Sequence, residues 1–154
     1  MTDREREFSL GLFIEQYSPL ALGALGFLGN TFWFRFALLD HPEWANRLLD
    51  RVIQAASVGV AFWGIAITLF IGMESKPIVE TLRKLGYFGM VVRYFCEALF
   101  ATFLLLALSV LLEPLSAQLS AVTLSSAWIA LGIWALLTTL RTYVMLTKIL
   151  IRME

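Results

Sequence analysis

Residues 52 to 73, VIQAASVGVAFWGIAITLFIGM, contain no charged side chain, and only Gln54, Ser57 and Thr68 interrupt the run with polar groups. A helix needs roughly 20 apolar residues to cross a hydrocarbon core of about 30 Å. In lipid the backbone N–H and C=O groups must be satisfied within the segment itself, so a run of this kind is a transmembrane helix and not a loop or an open sheet edge.

Residues 119 to 140, LSAVTLSSAWIALGIWALLTTL, form a second uncharged run ending at Arg141. Charged residues make up 16% of the chain, against about a quarter in soluble domains, and they cluster at 3–7, 40–51, 74–84 and 141–154. Alternating water and lipid segments produce that clustering. The chain is predicted to be an all-α integral membrane protein with four transmembrane helices in an up-down bundle, spanning about 19–39, 52–73, 88–112 and 119–141. No linker, repeat or low-complexity stretch divides it, so 1–154 reads as a single transmembrane domain.

The first and third segments carry extra features. Ser18-Pro19 interrupts a stretch that otherwise runs from 8 to 39, and proline removes a backbone donor and kinks a helix. Residues 8–17 then form an interfacial helix; one long kinked helix is the alternative. After Ser75, an N-cap with Pro77 following in the first turn, helix-compatible sequence continues to Leu112, longer than the bilayer needs. Its early part, about 77–88, is amphipathic and is expected to protrude as an extension. Glu113-Pro114 ends it, which pairs helices three and four as a tight hairpin. The segment from Asp40 to Arg51 reads as the longest loop.

Basic residues fix the orientation, because cytoplasmic loops carry the Lys and Arg excess. Arg4, Arg6, Lys76, Arg83, Lys84, Arg93, Arg141, Lys148 and Arg152 share one side, against Arg35, Arg47 and Arg51 opposite. Both termini, and the ends of helices three and four, are therefore expected in the cytoplasm, with the protein in a bacterial inner membrane. The bias argues against insertion in two opposite orientations. No nucleic-acid partner is expected, because net charge is zero and no basic block occurs. The mixed-charge start without a small-residue cleavage pattern argues against a removable signal peptide.

An ionisable side chain within a span is costly and is a functional candidate by default. Arg93 and Glu97, one turn apart, lead that group, either as a structural pair with Arg93 snorkelling to the headgroups or as a polar path through the membrane. Asn30 joins them, with an interhelical hydrogen bond preferred to ion coordination. Arg141, Lys148 and Arg152, spaced by seven and four, share a helix face. With Lys76, Arg83 and Lys84 they form a cytoplasmic surface for anionic lipid or a protein partner. Gly23, Gly26 and Gly29, and the pairs Ser57/Ala61 and Ser126/Ala130, are helix-packing positions where small residues let backbones approach.

No nucleotide-binding loop, nucleophile elbow or metal-ligand spacing is present. Cys96 is the sole cysteine and His41 the sole histidine. The chain is thus read as a non-enzyme without cofactor or metal. A four-helix bundle fills its own centre with side chains, so function is expected to require a homo-oligomer, a tetramer being the natural size. The leading expectation is a membrane sensor, channel or membrane-perturbing effector coupled to a cytoplasmic partner. Compact four-span proteins occur in bacterial anti-phage defence systems, and this chain shares their layout but no motif of theirs. A stand-alone ion channel or transporter, and a scaffold subunit of a larger membrane complex, are the other readings.

Overall fold

The structure is a computed structural model and describes residues 17–34, 42–72, 77–84, 86–115 and 120–151. Among them every regular element is helical. The first helix, α1, covers 17–29 and passes into a π-helical turn at Asn30–Phe34. It is followed by α2 (Pro42–Gly72), the short α3 (Pro77–Lys84), α4 (Phe88–Leu115) and α5 (Ala121–Ile151). Three of these are long and apolar enough to cross a membrane, over Ala45–Gly72, Phe88–Leu112 and Ala121–Lys148. The chain is a helical, multi-pass membrane protein by that criterion.

Two apolar clusters mark the two ends of the bundle. Ala45, Leu112 and Leu124 join the start of α2, the end of α4 and the start of α5, with Leu48, Leu49, Leu108 and Trp128 packed around them. Trp63, Val91, Phe95 and Ala98 form the other cluster, against Phe70 of α2 and Met145 and Leu146 of α5. Successive long helices therefore alternate in direction, and α4 lies between α2 and α5. Lipid tails are as apolar as leucine, so association in a membrane depends on close packing and hydrogen bonds and not on escape from water. The contacts suit that rule. Ala98 and Ala101 of α4 are fully buried, and a Cβ on Gly59 would lie 2.9 Å from Thr102 Cγ2. These small residues set the separation of α2 and α4.

Three boundaries differ from the sequence reading. Residues 42–51, read as loop, form the first three turns of α2; Ala45, Leu48 and Leu49 at helical spacing bury against α4 and α5. The helix expected to run unbroken from Ser75 to Leu112 is interrupted instead. Gly86 takes φ +75°, Gly86 N–H donates to Arg83 O at 3.0 Å and Tyr87 N–H to Leu82 O at 2.9 Å. That pair of bonds is a Schellman cap, which ends α3 and frees α4 to start in a new direction. Finally, α4 carries on through Pro114 to Leu115, a shift within the ordinary fraying of helix ends. The start of α5 is capped by Ser120, whose Oγ accepts from Thr123 N–H at 3.2 Å. Residues 8–16, which hold most of the expected interfacial helix, lie outside the described residues.

Candidate intramembrane polar site

Glu97 sits on α4 about two turns after its start, and Arg141 sits on α5 between two leucine-rich stretches. The two helices run antiparallel, which brings these positions level. Arg141 Nη2 donates to Glu97 Oε2, and the side chains are 8% and 20% exposed. The guanidinium also lies over the Tyr94 ring, 4.1 Å from Cζ to the ring centroid. A cation placed on an aromatic face in a desolvated setting gains about 2 kcal/mol. Next to the pair, the buried Thr142 hydroxyl is shared between Thr138 O at 2.8 Å and Tyr94 O at 3.4 Å. The site is a closed tie between α4 and α5, built from a charge pair, a ring and a threonine.

This arrangement corrects two expectations. Glu97 pairs across helices with Arg141 and not with Arg93 one turn earlier; Arg93 is exposed and makes no ion pair among the described residues. Arg141 correspondingly leaves the basic face on which spacing had placed it with Lys148 and Arg152. A shared helical face becomes buried where a neighbouring helix covers it, and α4 covers Arg141 but not Lys148, which stays exposed. On α3, Arg83 and Lys84 are exposed. Arg83 lies 5.3 Å from the Phe88 ring centroid, and Lys84 pairs with Glu80 at 2.8 Å. Lys76 and Arg152 lie outside the described residues.

A second polar cluster joins α1 to α5. The buried Asn30 donates through Nδ2 to Ser126 Oγ at 2.9 Å, and Thr31 Oγ1 donates to the same oxygen at 2.9 Å. Ser126 in turn donates to Val122 O at 2.8 Å, so its one proton and both lone pairs are used. Gly23 and Gly26 extend this seam. A Cβ on Gly23 would lie 2.9 Å from Ala130 O, and one on Gly26 would lie 2.5 Å from Ile133 Cδ1, whereas Gly29 faces open space. Ser126 and Ala130 are thus the seat of α1. Sequence reasoning missed Trp128 Nε1 donating to Ser109 Oγ at 2.8 Å; an indole in a span needing a partner was the available signal.

The pair Ser57/Ala61 behaves differently, because both residues are exposed on α2. At 100° per residue they fall close to one line with Arg47, Asp50, Gln54, Ile65, Thr68 and Gly72, all exposed as well. Only 11% of the apolar window of α2 is buried, against 33% for α4 and 28% for α5. Ser57 and Thr68 satisfy their hydroxyls on Ile53 O and Gly64 O. Gln54, the third residue of the uncharged run that starts at residue 52, has no hydrogen bond among the described residues. Two crevices open beside α4. One of about 370 Å³ is lined by Tyr17, Leu20, Arg93, Cys96, Glu97 and Trp134; the other, about 610 Å³ and wholly apolar, is lined by Val60, Cys96, Leu99, Phe100 and Phe103.

No family model, curated protein or solved structure matches the chain.

Proposed function

We propose that the protein is a non-enzymatic subunit of a homo-oligomer in a bacterial inner membrane. In this reading it crosses the bilayer four times with both termini cytoplasmic, and it acts as a channel or membrane-perturbing effector coupled to a cytoplasmic partner. The observation that carries the self-association is the exposed line Arg47, Asp50, Gln54, Ala61, Thr68 and Gly72 on α2. The outermost line of a lipid-facing helix is expected to be apolar, since polar groups in hydrocarbon seek partners. Here it is small and polar along most of its length, with Ile65 the one large apolar residue on it, an amide free to bond and a self-complementary Arg47/Asp50 step at its end. Copies sharing one orientation would set these lines against each other around a common axis.

The fourth crossing in this proposal is α1. At about 1.5 Å per residue, residues 17–34 rise roughly 27 Å, close to the core thickness. Its antiparallel course along α5, fixed by Gly23 against Ala130 and Asn30 against Ser126, supports the same reading. The exposed Arg83, Lys84 and Lys148 are the described remnant of the cytoplasmic partner surface. The tie between Glu97 and Arg141 speaks against the stand-alone transporter, because its carboxylate is already committed to a guanidinium.

Cysteine cross-linking tests the proposal. With Cys96→Ser removing the native thiol, Gln54→Cys and Ala61→Cys are expected to form disulfide-linked dimers in native membranes, while Ala98→Cys, fully buried inside the protomer, is not. Monomeric behaviour at both α2 positions would refute self-association through this face. Ion flux into liposomes then separates channel from scaffold: a conducting oligomer loses flux with Gln54→Leu, and a scaffold has none to lose.

A further inference from the structure

Arg93 is an exposed cation on a membrane helix with no counter-ion among the described residues. It lines the smaller crevice together with Glu97, whose charge is already matched by Arg141. Among the described residues, the three charged side chains at this point therefore leave one net positive charge. An uncompensated guanidinium in or near hydrocarbon is costly unless it reaches an anion. Trp134 lines the same crevice, and its buried Nε1 has no hydrogen-bond partner among the described residues.

Cys96 lines both crevices, so the charged one adjoins the apolar one at that side chain. From Arg93 to Phe103 the path along α4 covers about 15 Å at roughly 1.5 Å per residue. That is half of a hydrocarbon core of about 30 Å, the depth of one leaflet. A charged mouth followed by about 10 Å of wholly apolar groove from Cys96 to Phe103, at roughly 1.5 Å per residue, matches the chemistry of one molecule class, a phospholipid.

We propose that this face of α4 is a phospholipid-binding site. The lipid phosphate sits on the Arg93 guanidinium and one acyl chain lies along Cys96, Phe100 and Phe103 toward the bilayer midplane. Because a zwitterionic headgroup brings its own cation and an anionic one does not, the site favours anionic lipid. The site is separate from the α2 line and stands or falls independently of self-association.

The test uses the full-length protein, delipidated in neutral detergent, loaded with phosphatidylglycerol or phosphatidylcholine and read by native mass spectrometry. The wild type is expected to retain phosphatidylglycerol about fivefold more strongly than phosphatidylcholine, the scale of one basic residue near an anionic lipid. Arg93→Gln should abolish that preference, Arg93→Lys should keep most of it, and Arg83→Gln should leave it unchanged. Cys96→Trp, which fills the groove where the two crevices meet, should reduce retention of both lipids. Circular dichroism on each variant confirms that the helices persist, and the Arg93→Lys result keeps the test decisive if Arg93→Gln fails to fold. Three results would overturn the site: undiminished preference in folded Arg93→Gln, displacement of the lipid by inorganic phosphate alone, or efficient Cys96–Cys96 cross-linking in membranes, which would put a second copy in the groove.

Discussion

The Arg141 guanidinium and the Glu97 carboxylate form an ion pair that joins α5 to α4, and neither is more than one-fifth exposed. Removing two ions from water is expensive, and only close geometry with further contacts offsets it. Here the Tyr94 ring beneath Arg141 supplies part of the offset. The balance makes the pair sensitive to the loss of either member.

Glu97→Gln or Arg141→Met alone is expected to destabilise the helical bundle by about 3 to 5 kcal/mol, because each leaves a buried charge unmatched. The double variant Glu97→Leu with Arg141→Met should recover most of that loss. Thermal unfolding in detergent, followed by circular dichroism, measures the cycle. A double variant no better than the worse single would disprove the account.

The α1–α5 seam gives a steric prediction. Gly23→Val places carbon against the Ala130 carbonyl, 2.9 Å from the first added atom, and should loosen α1 from α5. Gly29→Ala meets nothing within 4 Å and should be near neutral, or slightly favourable through helix propensity. Limited proteolysis near residue 34 reports the detachment.

Ser126→Ala removes the oxygen on which Asn30 and Thr31 both depend. Hydrogen bonds between membrane helices average about 0.6 kcal/mol and reach about 1.7. A double-mutant cycle of Ser126→Ala with Asn30→Leu should give a coupling in that range. A value indistinguishable from zero would show that the amide finds an equivalent partner elsewhere.

Gly86→Ala should strain the turn between α3 and α4, because φ +75° costs a side-chain-bearing residue on the order of 1 to 3 kcal/mol. The loss is expected to be local. Amide exchange should quicken in α3, where Val79 and Leu82 are the buried anchors, while α4 and α5 keep their protection.

The membrane character and three long helices were legible because uncharged runs of sufficient length leave the backbone few alternatives. The first turns of α2 were not, since Asp40, Glu43, Arg47, Asp50 and Arg51 gave the segment the polarity of a loop. Its apolar residues, Ala45, Leu48 and Leu49, are spaced for one buried face, and that weaker signal is the one tertiary packing obeyed. The partner of Glu97 was hidden for a different reason. Arg93 is four residues away and Arg141 forty-four, and only the rotational setting of α4 against α5 decides between them. Gly86 was readable: a glycine shortly after Arg83-Lys84 is the ordinary sign of a helix end. Asn30 found the interhelical bond its chemistry demanded, although its partner was not identifiable from spacing.

The place of α1 against α5 has a consequence for biosynthesis. Chains are made from the N-terminus, so Gly23 and Asn30 emerge long before Ser126 and Ala130, the residues that receive them. Throughout translation of the intervening segments the Ser126 acceptor of the Asn30 amide is not yet made, and the first of the described helices is the last to find its neighbour. A nascent chain arrested before residue 120 would therefore hold α2 and α4 together while leaving the glycine side of α1 unoccupied, a form suited to capture by an insertion chaperone.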